Sequence, residues 1–381
     1  MRPAHYAKTR NYIDGDVTGL SPYLTHGLVT LSEVLKVFLE KESLTVGHKL
    51  VYELGWREFF RHVWAHEGNG IFDSLHTGPL DDSHYKKELP ADIRHAHTGV
   101  PVIDESIRLL YSTGGLHNHA RMWLASYVVH IRKIHWRVGA DWMVAHLLDG
   151  DLASNHLSWQ WVAGTASHKP YLFNADNVAR YAPSDWHSHE SVIDVSYEEL
   201  DRIARTARSA DFIHINSDDS FNSETHEPRV CSQPPDDLSW IEPGAAEAEL
   251  IRDREVWLAH PWAVRQPPSE ISKNSLVIGI YLRDHHDVWP WSESRWRWVD
   301  AAMSQITPHR WLMRADEIMA ILKTARSVRA IDDPHVTHLL KNLAECEPAP
   351  LLFSPIERRC SSFSQWWNRT TKGIIQAHEL L

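Results

Sequence analysis

The stretch LLDGDLASNHLSWQW, residues 147–161, concentrates charged, amide and aromatic side chains in fifteen positions. Asp149 and Asp151 lie two residues apart, and Asn155 follows four residues later. Trp159 and Trp161 then stand on either side of a glutamine. This pattern decides how the first half of the chain is interpreted, because core packing alone does not require it.

Three interpretations of the aspartate pair follow from its residues. Asp151 directly precedes an apolar run, so the pair could cap the next helix. A divalent cation is a second possibility, but no further acidic cluster or phosphate-binding loop accompanies the pair. The third is a buried carboxylate paired with an arginine, for which Arg121 is the candidate, since arginine offers a planar, bidentate partner.

The first 185 residues around this stretch have the pattern of helices joined by short polar loops. A capping box at Thr30 and Glu33 opens one helix, and Pro101 stands in the first turn of another. Gly114 and Gly139 are expected to end helices, and Asp141 to cap a short one. The predicted helices run over about 31–39, 47–66, 101–113, 117–137 and 141–147.

The second half of the chain has a different composition. Residues 186–274 are rich in Ser, Asp, Glu and Pro, which predicts a linker region with one short helix at 197–207. Residues 275–381 alternate strand-like and helical patterns, which predicts a small α/β, Rossmann-like domain with a parallel sheet in three layers. Its expected strands are 275–282, 309–313, 327–331 and 350–354, and its expected helices lie near 293–305, 316–325 and 335–345. The aromatic run at 287–298 is expected to pack against the sheet rather than to line a pocket.

Composition narrows the class of protein. With 381 residues, two domains are expected, and a net charge of −11 gives no general basic field for nucleic acid. Cys231, Cys346 and Cys360 are too few and too widely spaced for a disulfide framework or an iron–sulfur cluster. The N-terminus lacks an apolar leader, and no segment is long enough to cross a membrane, so a cytoplasmic location is expected. The 18 tryptophans exceed what a core of this size needs.

Four ordered motifs resemble the FAD-binding helical domain of the DNA photolyase and cryptochrome family. They are LSPYLTHG (20–27), VYELGWREFFRH (51–62), TGVPVIDESIRLLYSTGGLHNHARMWLASYVV (98–129) and HWRVGADWMVAHLLDGDLASNHLSWQW (135–161). The resemblance covers about residues 1–185 and implies a mainly α protein, in which an all-helical domain binds FAD. It further implies a short form without the family's usual N-terminal antenna domain, with the α/β segment last. No antenna chromophore can be assigned from these residues.

The resemblance also assigns residues to the cofactor. Asp149 and Arg121 would form a buried ion pair beside FAD, and Asn155 would lie near N5 of the flavin. Val17 and Gly19 depart from the family pattern, so phosphate contacts should be rearranged. The full cofactor set implied is Tyr6, Arg10, Thr18, Ser21, Arg57, Asn118, Arg121, Asp149, Asp151 and Asn155.

The same resemblance gives roles to the tryptophans. Trp159 and Trp136 match the first two members of an electron-transfer chain to the flavin. The position of the third member falls at Ser83, so Tyr85, Trp142 or Trp123 would have to complete a different route. Trp159 and Trp136 could alternatively be large aromatic residues that only fill the hydrophobic core.

Trp56 and Trp161 match the two aromatic walls of a pocket for a flipped, damaged base, and Glu53 would bind the base edges. Enzymes of the family that repair the (6-4) photoproduct use a histidine pair where this chain has Asn118 and Met122. The neighbouring His117 and His119 are expected to be structural. The catalytic set implied is Glu53, Asn118, Met122 and Asn155, with no metal ion.

The sequence therefore predicts a deoxyribodipyrimidine photolyase-like lyase acting on cyclobutane pyrimidine dimers in UV-damaged DNA. The alternative is a cryptochrome-like blue-light photoreceptor that signals through flavin photoreduction to a protein partner, which the acidic second half would suit. A light-indifferent flavoprotein is the third possibility, which the missing third tryptophan and the altered phosphate segment support.

Overall fold

The computed structural model describes residues 2–167, 169–208, 225–268 and 275–381. Parts of the predicted linker, 209–224 and 269–274, thus lie outside the described residues. The helices are α1 (Pro3–Thr9), α2 (Ser21–Thr25), α3 (Leu31–Leu39), α4 (Lys49–Glu67), α5 (Ala91–Arg94), α6 (Pro101–Thr113), α7 (Asn118–Ser126), α8 (Trp136–His146), α9 (Leu152–Ala163), α10 (Ala175–Tyr181), α11 (Tyr197–Ala204), α12 (Ala245–Leu250), α13 (Arg283–His286), α14 (Glu293–Ser304), α15 (Ala315–Leu322), α16 (Thr337–Leu340) and α17 (Phe363–Thr370). The strands are β1 (Val230–Cys231), β2 (Glu255–Ala259), β3 (Leu276–Leu282), β4 (Trp291–Ser292), β5 (Arg310–Met313), β6 (Ser327–Ile331) and β7 (Glu345–Glu347).

The chain forms two compact units whose boundaries differ from the predicted ones. The first unit comprises Met1–Thr18, Gly47–Pro228 and Arg358–Phe363. The second comprises Gly19–Val46, Arg229–Glu357 and Ser364–Leu381. Residues 19–46 therefore do not group with the helical domain predicted over 1–185. The sequence pattern could not show this, because grouping depends on contacts between segments far apart along the chain.

The named elements of the first unit are helical in its described residues. Pro101 begins α6 as predicted, and Gly114 ends it in the left-handed region with φ 65°. A side chain at Gly114 would also meet Leu148, because an added Cβ would lie 2.6 Å from that side chain. The core of the unit is built around fully buried apolar residues of α6 to α9, among them Ile107, Trp123 and Ala140.

The long helix predicted over 117–137 is wrong. Helix α7 ends at Ser126, a π-helical turn follows at Tyr127–Ile131, and Lys133 has a positive φ of 53°. The buried Lys133 ammonium donates to the carbonyl oxygens of His130, Ile203 and Ala204 at 2.7, 2.6 and 3.1 Å. The two contacts with Ile203 and Ala204 of α11 are tertiary and stabilise the break, which local helix propensity does not reveal.

Helix α8 consequently starts earlier than predicted. His135 caps it, since its Nδ1 accepts from the backbone N–H of Arg137 at 3.2 Å, and the helix runs through both Gly139 and Asp141. Gly139 does not end the helix but makes room for a neighbour. A Cβ there would lie 2.3 Å from ring atoms of Trp159.

The second unit contains a five-stranded parallel sheet, in agreement with the predicted α/β class. The strand order is β5-β3-β2-β6-β7, and every pairing in it is parallel. The chain passes from β2 to β3 and β5 on one side and then returns to β6 and β7 on the other, which is the doubly wound arrangement. A separate antiparallel pair joins β1 and β4.

Several local predictions in this unit are wrong. Strand β2 lies within the predicted linker, 350–354 forms no strand, and the helix expected near 335–345 is shortened to α16. Strand β2 was missed because a single five-residue apolar segment in a polar region gives little periodicity. In the aromatic run at 287–298, Trp291 and Trp296 are buried in the core of the unit, so they pack as expected.

Replacement of Gly139 by alanine should destabilise the protein. Alanine gains about 1 kcal/mol of helix propensity, but crowding in a packed core costs about 1–3 kcal/mol, and here the added Cβ would meet a rigid indole. We expect a net loss of about 1 kcal/mol in the free energy of unfolding, measured with urea. The matched control is Gly70→Ala, where the new Cβ meets only the Glu67 Cβ at 3.8 Å. Equal or higher stability of Gly139→Ala would contradict this packing argument.

Candidate functional site

Asp149 and Arg121 form the ion pair that the sequence predicts. The Arg121 Nη2 donates to both carboxylate oxygens of Asp149 at 2.9 Å. Its Nε donates to the carbonyl oxygen of Leu116 at 2.8 Å, which fixes the guanidinium relative to the start of α7. Asp149 is almost fully buried, whereas about a quarter of the Arg121 side chain remains exposed. The pair therefore links the loop before α9 to α7.

Asp151 has a structural and an electrostatic part in this region. Its Oδ1 caps α9, accepting from the backbone N–H of Ser154 at 2.8 Å and from its hydroxyl at 3.0 Å. Its Oδ2 faces the guanidinium groups of Arg57 and Arg61 on α4 at 3.8 and 3.6 Å. The capping and arginine-pairing interpretations are thus both realised, by different oxygens of the same carboxylate.

The arrangement does not favour the divalent-cation interpretation. Asp149 is directed to Arg121 and Asp151 to two arginines of another helix, so positive side chains already occupy the positions that a cation would take. Within the described residues, no group of His, Cys, Asp and Glu is placed to hold a metal ion.

A row of charged residues follows one face of α4. Glu53, Arg57 and Arg61 are spaced by four residues, which aligns them along the helix. Arg10 lies beside the row, with its Nε 3.4 Å from Glu53 Oε1. Burial, with a further contribution from Glu53, raises the pKa of Tyr6 to about 12, so its phenol stays neutral and can donate a hydrogen bond. Arg61 was missed by the sequence reasoning, although its spacing from Arg57 was a signal.

The charges of this region fit an anionic ligand. In the ion pairs described above, four arginines (Arg10, Arg57, Arg61 and Arg121) face three carboxylates (Glu53, Asp149 and Asp151), so guanidinium groups outnumber their carboxylate partners. Guanidinium groups match the geometry of phosphate oxygens. This donor set is chemically suited to a dinucleotide with a pyrophosphate.

Two residues of the predicted phosphate segment fall in different units. Thr18 is the last residue of that part of the first unit, whereas Ser21 begins α2 in the second. The boundary between the two units thus falls inside the predicted phosphate segment.

The amide residues of the predicted site lie on α7 and α9. Asn118 is the first residue of α7, and its Nδ2 contacts the Met122 sulfur at 3.5 Å. Asn155 is buried, and its Nδ2 donates to the Ala140 carbonyl oxygen at 2.9 Å. This bond orients the Asn155 side chain from α8.

The two histidines at the start of α7 are structural, as expected. His117 caps α7 by accepting from the backbone N–H of His119 at 3.1 Å, and burial lowers its pKa to about 4. His119 donates from Nδ1 to the Asn11 carbonyl oxygen at 2.7 Å and stacks on Trp123 at 4.5 Å. Burial lowers the pKa of His119 as well, so both rings are neutral near pH 7.

Trp159 and Trp136 are both buried at the packed pair α8 and α9. The Trp159 ring lies against Gly139, one helical turn after Trp136. The Trp136 Nε1 donates to the Ser74 hydroxyl at 3.0 Å. His135 connects Trp136 to Tyr85, with ring centroids 5.6 and 6.3 Å apart.

The three candidates for the outer aromatic residue are therefore not equivalent. Tyr85 is the one whose ring neighbours lead to Trp136. Trp142 instead donates to the Tyr111 hydroxyl at 3.2 Å, and Trp123 stacks on His119. Burial raises the pKa of Tyr85 to about 12, so it is a neutral phenol. Ser83 lies in a 3-10 turn at Asp82–His84.

Gln160, between the two tryptophans, holds a neighbouring loop. Its Oε1 accepts from the Leu75 backbone N–H at 2.9 Å, and its Nε2 donates to the Ile71 carbonyl oxygen at 2.8 Å. The glutamine is fully buried. On the same helix, Trp159 is buried in the core, whereas Trp161, two positions on and thus on another face, is 43 % exposed.

Trp56 has a neighbour that the sequence reasoning missed. Phe363 stacks on its ring, with centroids 4.0 Å apart and 14° between the planes. Trp161 has an exposed ring, tilted against Tyr171 at 5.7 Å. No local pattern could connect Trp56 with Phe363, because more than three hundred residues separate them.

Residues 50–189 match the family model described as the FAD binding domain of DNA photolyase. These residues are thus similar to the FAD-binding domain of photolyases, and we refer to them as the photolyase-type domain. It contains every predicted site residue from Glu53 to Trp161, whereas Tyr6, Arg10, Thr18 and Ser21 precede it.

Curated relatives of this photolyase-type domain include enzymes and cryptochromes. The deoxyribodipyrimidine photo-lyase of Streptomyces griseus is 36% identical over 43% of this chain and 36% of its own length. The deoxyribodipyrimidine photo-lyase of Synechococcus sp. is 29% identical, and the match covers 56% of this chain and 48% of that protein. The cryptochrome DASH of Ostreococcus tauri is 36% identical, and the match covers 48% of this chain and 35% of that protein. The chain thus spans about a third to a half of the length of these relatives.

Among solved structures, a Synechocystis sp. PCC6803 cryptochrome is similar at 30% identity and a TM-score of 0.42, over 47% of this chain and 39% of that one. An archaeal photolyase from Sulfolobus tokodaii is similar at 27% identity and a TM-score of 0.41, and the match covers 51% of this chain and 46% of that one. In the part of the chain that the structure describes, no helix is long and apolar enough to cross a membrane.

Removal of the Asp149 carboxylate should destabilise the photolyase-type domain. Asp149→Ala leaves the Arg121 charge partly buried without its carboxylate, and breaking a buried pair costs about 3–5 kcal/mol. Because Arg121 is partly solvated, we expect a loss of about 2 kcal/mol in the free energy of unfolding, measured with urea. Glu199→Ala, which breaks the exposed pair with Arg202, is the matched control and should have little effect. An Asp149→Ala variant as stable as the control would show that the pair does not hold α9 to α7.

Proposed function

We propose that this protein is a light-driven DNA repair flavoprotein that splits cyclobutane pyrimidine dimers. The observation that carries the proposal is the match of residues 50–189 to the FAD binding domain of DNA photolyase, with the charged site inside the matched residues. The enzyme class proposed is a deoxyribodipyrimidine photolyase-like lyase. Its partners are FAD and UV-damaged DNA.

The residues of the site divide the work of cofactor binding. Arg57 and Arg61, both held by Asp151, would bind a phosphate oxygen through their remaining N–H groups. Arg121, anchored to Asp149, would present a fixed positive edge, and the neutral amide of Asn155 could hydrogen-bond a ring nitrogen in more than one protonation state. The chemistry that FAD would supply is donation of one electron to the dimer in light and its recovery after the ring has split.

Two buried tryptophans suit electron supply from the protein. Trp159 and Trp136 are shielded from water on neighbouring helices. The chain of rings from Trp136 through His135 to Tyr85 extends this pair toward the surface. We propose Tyr85 as the outer member, in place of the family's third tryptophan.

The proposed substrate follows from the residues around the base pocket. Trp161 offers an exposed ring on which a flipped base can stack, and Glu53 is exposed enough to accept a hydrogen bond from a base edge. Asn118 and Met122 stand where (6-4) enzymes of the family use histidines, which favours the cyclobutane dimer.

The repair reaction can be tested directly. The purified protein, reduced and supplied with a thymine-dimer oligonucleotide, should restore thymine absorbance in blue light and leave it unchanged in the dark. A protein that carries flavin and is photoreduced, yet leaves the dimer intact, would instead support the photoreceptor alternative. The covered face of Trp56 is the specific observation that favours this alternative.

Trp161→Ala should weaken binding of the dimer oligonucleotide. Loss of one stacking partner costs about 1–3 kcal/mol of binding free energy, while the flavin absorption spectrum should not change. Fluorescence anisotropy in the dark measures the affinity. Tyr197→Ala, which removes another exposed ring of the same unit, is the matched control. Equal affinities of the Trp161 variant and the wild type would remove Trp161 from the pocket.

Trp136→Phe should strongly slow photoreduction of bound flavin without changing its occupancy. Phenylalanine keeps the buried shape but is much harder to oxidise than indole, so the electron route is interrupted. Tyr85→Phe should slow it less, because Trp136 remains. Absorbance during blue-light illumination follows both variants, with Trp142→Phe as the control. An unchanged rate in Trp136→Phe would show that electrons reach the flavin by another route.

A further inference from the structure

The segment Arg358–Phe363 belongs to the first unit, although it follows the α/β sheet in the sequence. It is attached to α4 at two points before Phe363. The backbone N–H of Cys360 donates to His62 Nε2 at 3.0 Å, and the Arg359 guanidinium is paired with Glu67. The segment is thus held along the same helix that carries Trp56.

Phe363 is inserted among the aromatic side chains of α4. Its ring lies parallel to Trp56 at 4.0 Å, and its edges meet Tyr52 at 4.6 Å and Phe59 at 5.6 Å. Phe363 is 4% exposed. A parallel stack at this distance leaves no space between the two rings, so nothing else can lie on that face of Trp56 while Phe363 is present.

The remaining surroundings of Trp56 are also aromatic. Phe59 meets it edge-on at 5.7 Å, and Phe60 is tilted against it at 5.5 Å. Neither ring is parallel to Trp56, whereas Phe363 is. Phe363 therefore makes with Trp56 the type of contact that a flat, apolar nucleobase would make.

We infer that Phe363 is a specificity-determining residue of the substrate site, which occupies the stacking face of Trp56 until a flipped base displaces it. The inference rests on the proposed function, in which Trp56 is a wall of the base pocket. A base can enter only if its stacking on Trp56 replaces that of Phe363, so weakly stacking or duplex-bound bases are excluded. A damaged base costs less free energy to unpair and flip out of the duplex than an intact base does. It is therefore the ligand best able to compete with Phe363 for the face of Trp56.

The test compares affinities for a thymine-dimer oligonucleotide and its undamaged counterpart, measured by anisotropy in the dark on the flavin-containing protein. Phe363→Ala should bind the dimer about tenfold more tightly than the wild type, because one stacking contact no longer has to be broken. Its preference for damaged over undamaged DNA should fall. The matched control is Phe60→Ala, which removes a neighbour of Trp56 without freeing the stacking face and should not tighten binding.

A double variant separates this role from a merely structural one. If Phe363 acts through Trp56, Trp56→Ala/Phe363→Ala should bind no more tightly than Trp56→Ala alone. Should Phe363→Ala fold poorly, Arg359→Glu places two carboxylates together at Glu67 and loosens the segment while leaving every aromatic ring. It should also tighten binding, and Arg359→Glu/Glu67→Arg, which restores the pair, should reverse the change.

The outcomes distinguish the inference from the proposed function. A wild type that repairs dimers in light, with Phe363→Ala binding them equally or more weakly, overturns the inference and leaves the proposed function standing. A wild type that binds and repairs the dimer, together with tighter dimer binding by Phe363→Ala and Arg359→Glu, supports the inference. No preference for the dimer in the wild type or any variant overturns both.

Discussion

The helical unit depends on the placement of two buried carboxylates at the start of α9. A carboxylate can be removed from water only if positive and hydrogen-bonding groups replace its hydration. Asp149 accepts hydrogen bonds from Arg121 of α7. Asp151 faces the guanidinium of Arg57 on α4 and also caps α9. Three helices are thereby fixed relative to one short turn. The excess of guanidinium groups around it is what makes the region suitable for an anionic cofactor.

The many tryptophans are explained by different contacts rather than by one function. Trp159 fits against a glycine of α8, Trp136 donates to a serine, and Trp291 and Trp296 fill the core of the second unit. Trp161 is set apart by its exposure and Trp56 by its stacked partner. Indole rings combine a large apolar area with one hydrogen-bond donor, so the same residue type can serve a core, an electron route or a binding surface.

The carboxyl ends of the sheet in the second unit are filled by the chain itself. In a doubly wound sheet, the crevice beside the first strand is the usual place for a ligand. Here His260, directly after β2, contacts the Ile331 carbonyl oxygen of β6 at 2.8 Å, and Trp262 stacks on His335 at 4.6 Å. Burial lowers the pKa of His260, so the ring is accommodated without a charge. Parallel topology alone is thus no argument for a ligand at this position.

The sequence by itself determined the helical pattern of the first unit, the parallel sheet of the second, and the caps of α3 and α6. These features depend on periodicity and on the backbone preferences of proline and glycine. Pairing of an aspartate with Arg121 was one of three alternatives that the residues left open, and the resemblance to a known family selected Asp149 for it. Only the tertiary structure decided that α7 ends before Lys133, that α8 passes through Gly139, that residues 19–46 group with the sheet, and that Phe363 covers Trp56. Each of these depends on atoms contributed by distant segments, and the free energy of such contacts outweighs the local preferences that a sequence pattern records.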